Sequence, residues 1–151
     1  MQKTIILLPL LLLYTGVLFA QSANDIIGTW LNQEEDAQIE VFLENEKYFG
    51  KIVWLKNPKD KNGDWVLDTK NPKEDLRNRK KLGLTIMYNL VWNQDDLEWS
   101  EGEIYDAREG DTFALVAKTV DSETLNLRGY IGFSLFGRTT TWKKTKLRET
   151  K

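Results

Sequence analysis

The sequence predicts an all-β protein: an eight-stranded antiparallel up-and-down barrel with a short N-terminal helical turn and one long loop. Three observations carry this expectation. Apolar and polar residues alternate with a period of two along most of the chain, the spacing that sends successive side chains to opposite faces of a strand. Each alternating run ends in Asn, Asp or Gly chemistry of the kind that reverses a chain. Helical periodicity is confined to Ala23 to Ile27. Closure into a barrel removes the edge strands that an open meander would expose. A two-sheet sandwich is the alternative that the pattern leaves open.

Taken in order, the chain begins with Met1 to Ala20, which carries one early charge, Lys3, and then the apolar run Ile5 to Phe19. This run is shorter than the roughly 20 residues of a membrane span and ends in Ala20 before Gln21 and Ser22, the form of a secretory signal. We expect cleavage after Ala20, export to the periplasm or beyond, and a single barrel domain over 21–151. An uncleaved N-terminal anchor is the other reading. No Cys follows the run, which excludes a lipid-anchored Cys.

A helical turn at Asn24 to Ile26 is expected to lead into the first strand, Gly28 to Asn32. Ala37, Ile39, Val41 and Leu43 then alternate with Gln38, Glu40, Phe42 and Glu44. The turn Asn45-Glu46 returns the chain into Lys47 to Leu55, where Tyr48, Gly50, Ile52 and Trp54 share a face, so the two runs form a hairpin. Leu84 to Trp92, Glu98 to Tyr105, Thr112 to Val120, Thr124 to Tyr130 and Arg138 to Lys144 complete the set. One connection breaks the rhythm, from Lys56 to Lys81. Loops of that length are uncommon in compact domains and tend to be functional or ordered in their own right. It holds Asp60-Lys61-Asn62-Gly63-Asp64, the Asn71-Pro72 turn and the charged stretch Lys73 to Lys81, enough for one or two helical turns.

Composition narrows the chemistry. The 151 residues fit one domain, and the absence of both His and Cys removes zinc sites, Ser-His-Asp and Cys-His nucleophiles, iron-sulfur clusters and disulfides. With 21 basic against 23 acidic side chains there is no basic field, so no nucleic-acid partner is expected. Neither a cofactor nor a metal is expected. Asp60 to Asp68 has part of a calcium-loop spacing, but Trp65 replaces the turn glycine and Asn71 the bidentate Glu. Glu101 and Glu103 share a strand face at a spacing compatible with paired carboxyl catalysis. Charges on an outward strand face are ordinary, and no enzyme is expected.

Gly28-Thr29-Trp30 and Gly137-Arg138-Thr139-Thr140-Thr141-Trp142 together resemble the lipocalin, or calycin, arrangement. More specifically, the chain resembles the bacterial secreted family known as domain of unknown function 2147. The matching pieces include Gly50-Lys51-Ile52, Asp68 with Asn71-Pro72, Leu76-Arg77-x-Arg79, Gly102-x-Ile104-Tyr105-Asp106 and Leu127-Arg128-Gly129-Tyr130. The family pattern has Pro where this chain has Lys80 and Ala107, a difference that bears on local loop shape. The resemblance implies a lipocalin-like barrel in the cell envelope and carries no activity with it. It also implies that Gly28, Trp30, Arg138 and Trp142 close one barrel end, with the Arg138 guanidinium across the Trp30 indole, a contact with a physical basis of its own.

Two functional readings follow. In the first, the bore holds a small hydrophobic or amphipathic ligand against Trp54, Tyr88, Tyr105, Arg128 and Tyr130. Arginines among Arg77, Arg79, Arg128 and Arg138 would meet an anionic head group. In the second, large rings fill the bore and the protein is an interaction module acting through loop 57–81. Asp68, Asn71, Arg77 and Arg79 then anchor that loop. Neither reading makes it an integral membrane protein, and neither sets an oligomeric state.

Overall fold

The computed structural model describes residues 21–149; the expected targeting segment, Met1 to Ala20, lies outside them. The chain forms β1 (Gly28–Leu31), β2 (Ala37–Glu44), β3 (Lys47–Leu55), β4 (Thr85–Asn93), β5 (Glu98–Asp106), β6 (Asp111–Asp121), β7 (Thr124–Tyr130) and β8 (Arg138–Lys144). These strands pair in sequence order as a closed antiparallel barrel, β8 returning to β1. Closure is short: only Trp30 with Lys144 and Leu31 with Lys143 are in register. Beyond that seam Gln33 substitutes for a backbone partner, its side-chain oxygen accepting from the Thr141 N–H at 3.0 Å.

The segment before β1 is a hydrogen-bonded turn rather than a helix, with Ile27 N–H donating to Asn24 at 3.0 Å. In the long connection only Glu74–Leu76 is helical, as one 3₁₀ turn. The remainder is held by isolated bridges, Lys59 with Trp65 and Leu67 with Lys80.

The two ends of the barrel are filled differently. At the end bearing the β2–β3, β4–β5 and β6–β7 turns, Trp30, Trp99, Leu90, Met87 and Leu125 are fully buried. Trp99 lies 4.6 Å from the Trp92 ring and meets Tyr48 edge-on at 6.3 Å. The N-terminal turn seals this end, accepting from the Trp30 indole at Ile26 (2.8 Å) and from the Trp99 indole at Ala23 (3.1 Å). Two glycines make the filling possible. A Cβ at Gly50 would stand 2.7 Å from the Met87 sulfur, and one at Gly102 2.5 Å from Leu90 Cγ.

Register shifts set which side chains face inward. Between β2 and β3, Ile39 pairs with Ile52 but Gln38 with Trp54, so Val53 is an extra residue. The bulge turns Trp54 outward and Leu55 inward. Two more shifts separate β3 from β4, where Tyr48 pairs with Leu90, Gly50 with Met87 and Lys51 with Thr85. Asn89 and Glu101 take positive φ values of 59° and 61°, as β-bulge residues do. Outside the barrel, segment 145–149 crosses β2 and β3. Gln38 hydrogen-bonds Lys146 and Arg148 backbone groups at 2.9 and 2.8 Å, and Arg148 stacks over Trp54 at 4.9 Å.

Candidate functional site

The other half of the bore is open. A cavity of about 390 Å³ enters between the β1–β2, β3–β4, β5–β6 and β7–β8 connections. Its walls are apolar, with Ile39, Ile52, Phe113, Leu115, Leu127 and Trp142 prominent among them. Period-two alternation places each of these on the inner face. Gly129 is also on this wall, and a Cβ there would make only ordinary contacts, 3.5 Å to Phe113 and 3.8 Å to Ile104. The long loop completes the rim with Asn57, Val66 and Lys81.

The mouth is charged, and its acids are engaged. Asn32 donates to Asp36 at 2.7 Å and to Glu34 at 3.2 Å. Arg108 donates to Asp106 at 3.2 Å and approaches Glu34 at 3.8 Å. Although burial works against its charge, hydrogen bonding to Asp106 and the nearby carboxylates raise the Arg108 pKa overall. Lys81 and Arg138 also border the cavity, and neither has an ion-pair partner among the described residues. The rim thus offers two cations to a ligand's polar end.

A second cluster pins the long loop to the barrel wall. The fully buried Asp68 accepts from Tyr105 Oη at 2.6 Å, Asn71 Nδ2 at 2.8 Å and Arg79 Nη2 at 2.9 Å. Arg77 Nε donates to the Asn71 carbonyl at 2.8 Å, and Asn71 also bridges to Tyr105 at 3.1 Å. Burial by itself would raise the Asp68 pKa. Hydrogen bonds from Tyr105, Arg79 and Asn71, with the Arg79 charge, outweigh it and hold the carboxyl below its ordinary range. Burial and then the Asp68 hydrogen bond push the Tyr105 hydroxyl up to about 12.

The expected ligand residues are largely placed elsewhere. Tyr105 alone among them borders the cavity, with its hydroxyl committed to Asp68 and Asn71. The bulge at Val53 puts Trp54 on the outer surface under Arg148. Tyr88 pairs with outward Glu103, and its hydroxyl bonds the Thr85 carbonyl. Arg128 and Tyr130 flank the inward Gly129 and so face outward, Arg128 donating to Thr139 and to the Leu135 carbonyl, both at 3.1 Å. The expected closure pair is also corrected. Lys144 lies over Trp30, at 5.2 Å, while Arg138 stands at the opposite end of β8, in register with Gly129. Trp142 is buried on the cavity wall, and Gly28 sits at the seam with φ of 136°, its Cβ direction facing Lys144.

The sequence signal for the wall residues Phe113, Leu115 and Leu127 is period-two alternation, which they share with the side chains that fill the other half of the bore. Asp60, in the calcium-like run, accepts from the Asn62 and Asp64 amides at 2.8 and 3.0 Å. Among the described residues no group of three or more Asp or Glu is placed to hold a metal ion. Nor is any helix among them long and apolar enough to cross a membrane.

A closed eight-stranded up-and-down barrel, sealed at one end and hollow at the other, is a lipocalin-like barrel. The chain belongs to the family described as uncharacterized protein conserved in bacteria (DUF2147), which matches residues 28–144. Among solved structures it is similar to protein HP1028 from the human pathogen Helicobacter pylori, which belongs to the lipocalin family. That similarity has 23% identity, covers 80% of this chain and 82% of the other, and has a TM-score of 0.67. At that identity the likeness is one of fold. No curated protein matches the chain.

Proposed function

We propose that this protein is an exported, non-enzymatic carrier that holds a small amphipathic molecule, apolar tail inward and anionic end at the mouth. The observation that carries this reading is the half-empty bore. A cavity of about 390 Å³ falls within the roughly 300–1,000 Å³ of small-molecule sites. Its apolar wall gives a hydrocarbon tail the burial that drives association, about 25 cal/mol per Å². Lys81 and Arg138 supply charge where the tail ends, while the rim acids are already occupied by Asn32 and Arg108. An apolar-walled cavity whose charged groups stand only at the rim suits capture better than bond chemistry.

The test is titration with a dansylated fatty acid, read by energy transfer from tryptophan. Binding is expected in the parent protein and its loss in Gly129→Leu, which fills the bore where a Cβ already fits. Arg138→Gln is expected to weaken the fatty acid by roughly three- to tenfold and leave the matching alcohol unaffected. Equal affinity in parent and Gly129→Leu would place the probe outside the bore and end this reading.

A further inference from the structure

The connection between β7 and β8 is the most apolar exposed feature among the described residues. Ile131, Phe133, Leu135 and Phe136 are 72%, 76%, 84% and 82% exposed, on one loop tip at the open end of the barrel. Exposed apolar residues are ordinary when scattered, but four large ones on one tip are not. Segment 131–137 carries no charge at all. From Thr124 to Lys144 the whole hairpin contains no Asp or Glu, yet it includes Arg128, Arg138, Lys143 and Lys144. In a chain where 23 acidic side chains outnumber 21 basic ones, this hairpin is a purely cationic element with an apolar tip.

We propose that this tip is a membrane anchor that inserts into the interfacial layer of an anionic phospholipid bilayer and holds the barrel mouth against the lipid surface. Apolar side chains at a tip enter the acyl boundary, while guanidinium groups at its base meet lipid phosphates. The base has that arrangement: Arg138 and Arg128 flank the tip, one on the cavity rim and one on the outer face. A protein partner suits the tip less well. Stable protein interfaces engage roughly 20–30 residues a side with a flat, complementary patch, whereas a bilayer accepts a narrow tip of any shape. The anchor also lies beside the entrance to the cavity, since Gly129 and Arg138, on either side of the loop, both line it. Docking does not depend on the cavity being loaded.

The experiment uses residues 21–151, without the apolar run Ile5 to Phe19 that would itself partition into vesicles, and exploits the lack of Cys. Leu135→Cys at the tip and Ser122→Cys at the opposite end each carry one environment-sensitive dye, and vesicles of phosphatidylcholine with or without phosphatidylglycerol are added. A blue shift at position 135 alone, stronger with phosphatidylglycerol and quenched by acyl-chain quenchers, is the expected result. Phe133→Ser with Phe136→Ser should lower vesicle partitioning by roughly tenfold or more, with the thermal midpoint unchanged. Gly129→Leu should dock as the parent does, which separates this anchor from bore binding. No shift with any vesicle overturns the proposal, as do equal shifts at both dye positions. A shift at position 135 that grows with protein concentration without vesicles assigns the tip to a second copy instead, and also overturns it.

Discussion

Asp68 shows how much one side chain can decide. It is buried at the root of a long loop and satisfied by three donors from Tyr105, Asn71 and Arg79. Asp68→Ala leaves those donors without an acceptor, so unfolding in urea should show a loss of about 2–3 kcal/mol. The pH dependence follows from the direction of each shift. The lowered Asp68 pKa means a contribution present above the unfolded value of about 3.9 and lost as pH falls through the folded one. The raised Tyr105 pKa works the other way. Its contribution is complete below the ordinary value near 10 and is lost as pH rises through about 12. Tyr105→Phe should therefore reduce the decline in the urea midpoint across that alkaline window, the remainder coming from Tyr48 and Tyr88, whose hydroxyls burial also pushes up; an unchanged slope would mean that Tyr105 does not titrate there. At the sealed end, Trp30→Ala should cost about 3–5 kcal/mol, because the indole is fully buried and donates to Ile26. Lys144→Ala removes the cation over its face and a long hydrogen bond to the Asp25 carbonyl at 3.5 Å, and should cost much less, about 0.5–1 kcal/mol, read in the same urea series.

Among the elements, strands and turns were largely legible while bulges were not. Each strand appears within a residue or two of the alternating run that predicts it, because alternation and turn chemistry are local properties. The bulges at Val53, Asn89 and Glu101 leave no such mark, since none of the three is a glycine. They depend on how a partner strand is paired. Each reverses the inside and outside assignment beyond it: Val53 turns Trp54 outward, and an extra residue at Ile86, where Gly50 pairs with Met87 but Lys51 with Thr85, turns Tyr88 outward until Asn89 reverses the assignment again. The long connection is another element whose order depends on distant contacts. It presses against the β5–β6 turn at Gly110, where φ is 84° and a Cβ would stand 2.1 Å from the Lys70 carbonyl. Gly110→Ala should destabilise the barrel by about 1–3 kcal/mol and speed proteolytic cleavage within 57–81. Cleavage at the parental rate would show that this contact does not hold the loop.

For the whole molecule, the uneven filling of the bore matters most. Leu90 is fully buried at the sealed end, whereas Leu115 is equally shielded from solvent but faces the cavity. Leu90→Ala opens a new void and should cost about 3–5 kcal/mol. Leu115→Ala enlarges an existing one and gives up fewer contacts, so its cost should be at least about 1 kcal/mol smaller. Thermal or urea unfolding of the two variants compares them directly, and equal costs would argue that the cavity half is packed as tightly as the other. The same asymmetry gathers the cavity, the free cations Lys81 and Arg138 and the apolar tip at one end of the barrel.

The all-β class, the number and order of strands, the long loop and the pieces that match the family are legible along the chain, since these follow from alternation, turn residues and spacing. Of the site the sequence showed Asp68, Asn71, Arg77 and Arg79 as a loop-side polar group, but not the wall of the cavity. The tertiary structure decided which aromatic side chains face inward, which cation covers Trp30 and which half of the bore is empty. Those outcomes rest on strand register and barrel closure: one bulge moves every later side chain to the other face, and pairing β1 with the far end of β8 brings Lys144, not Arg138, to Trp30.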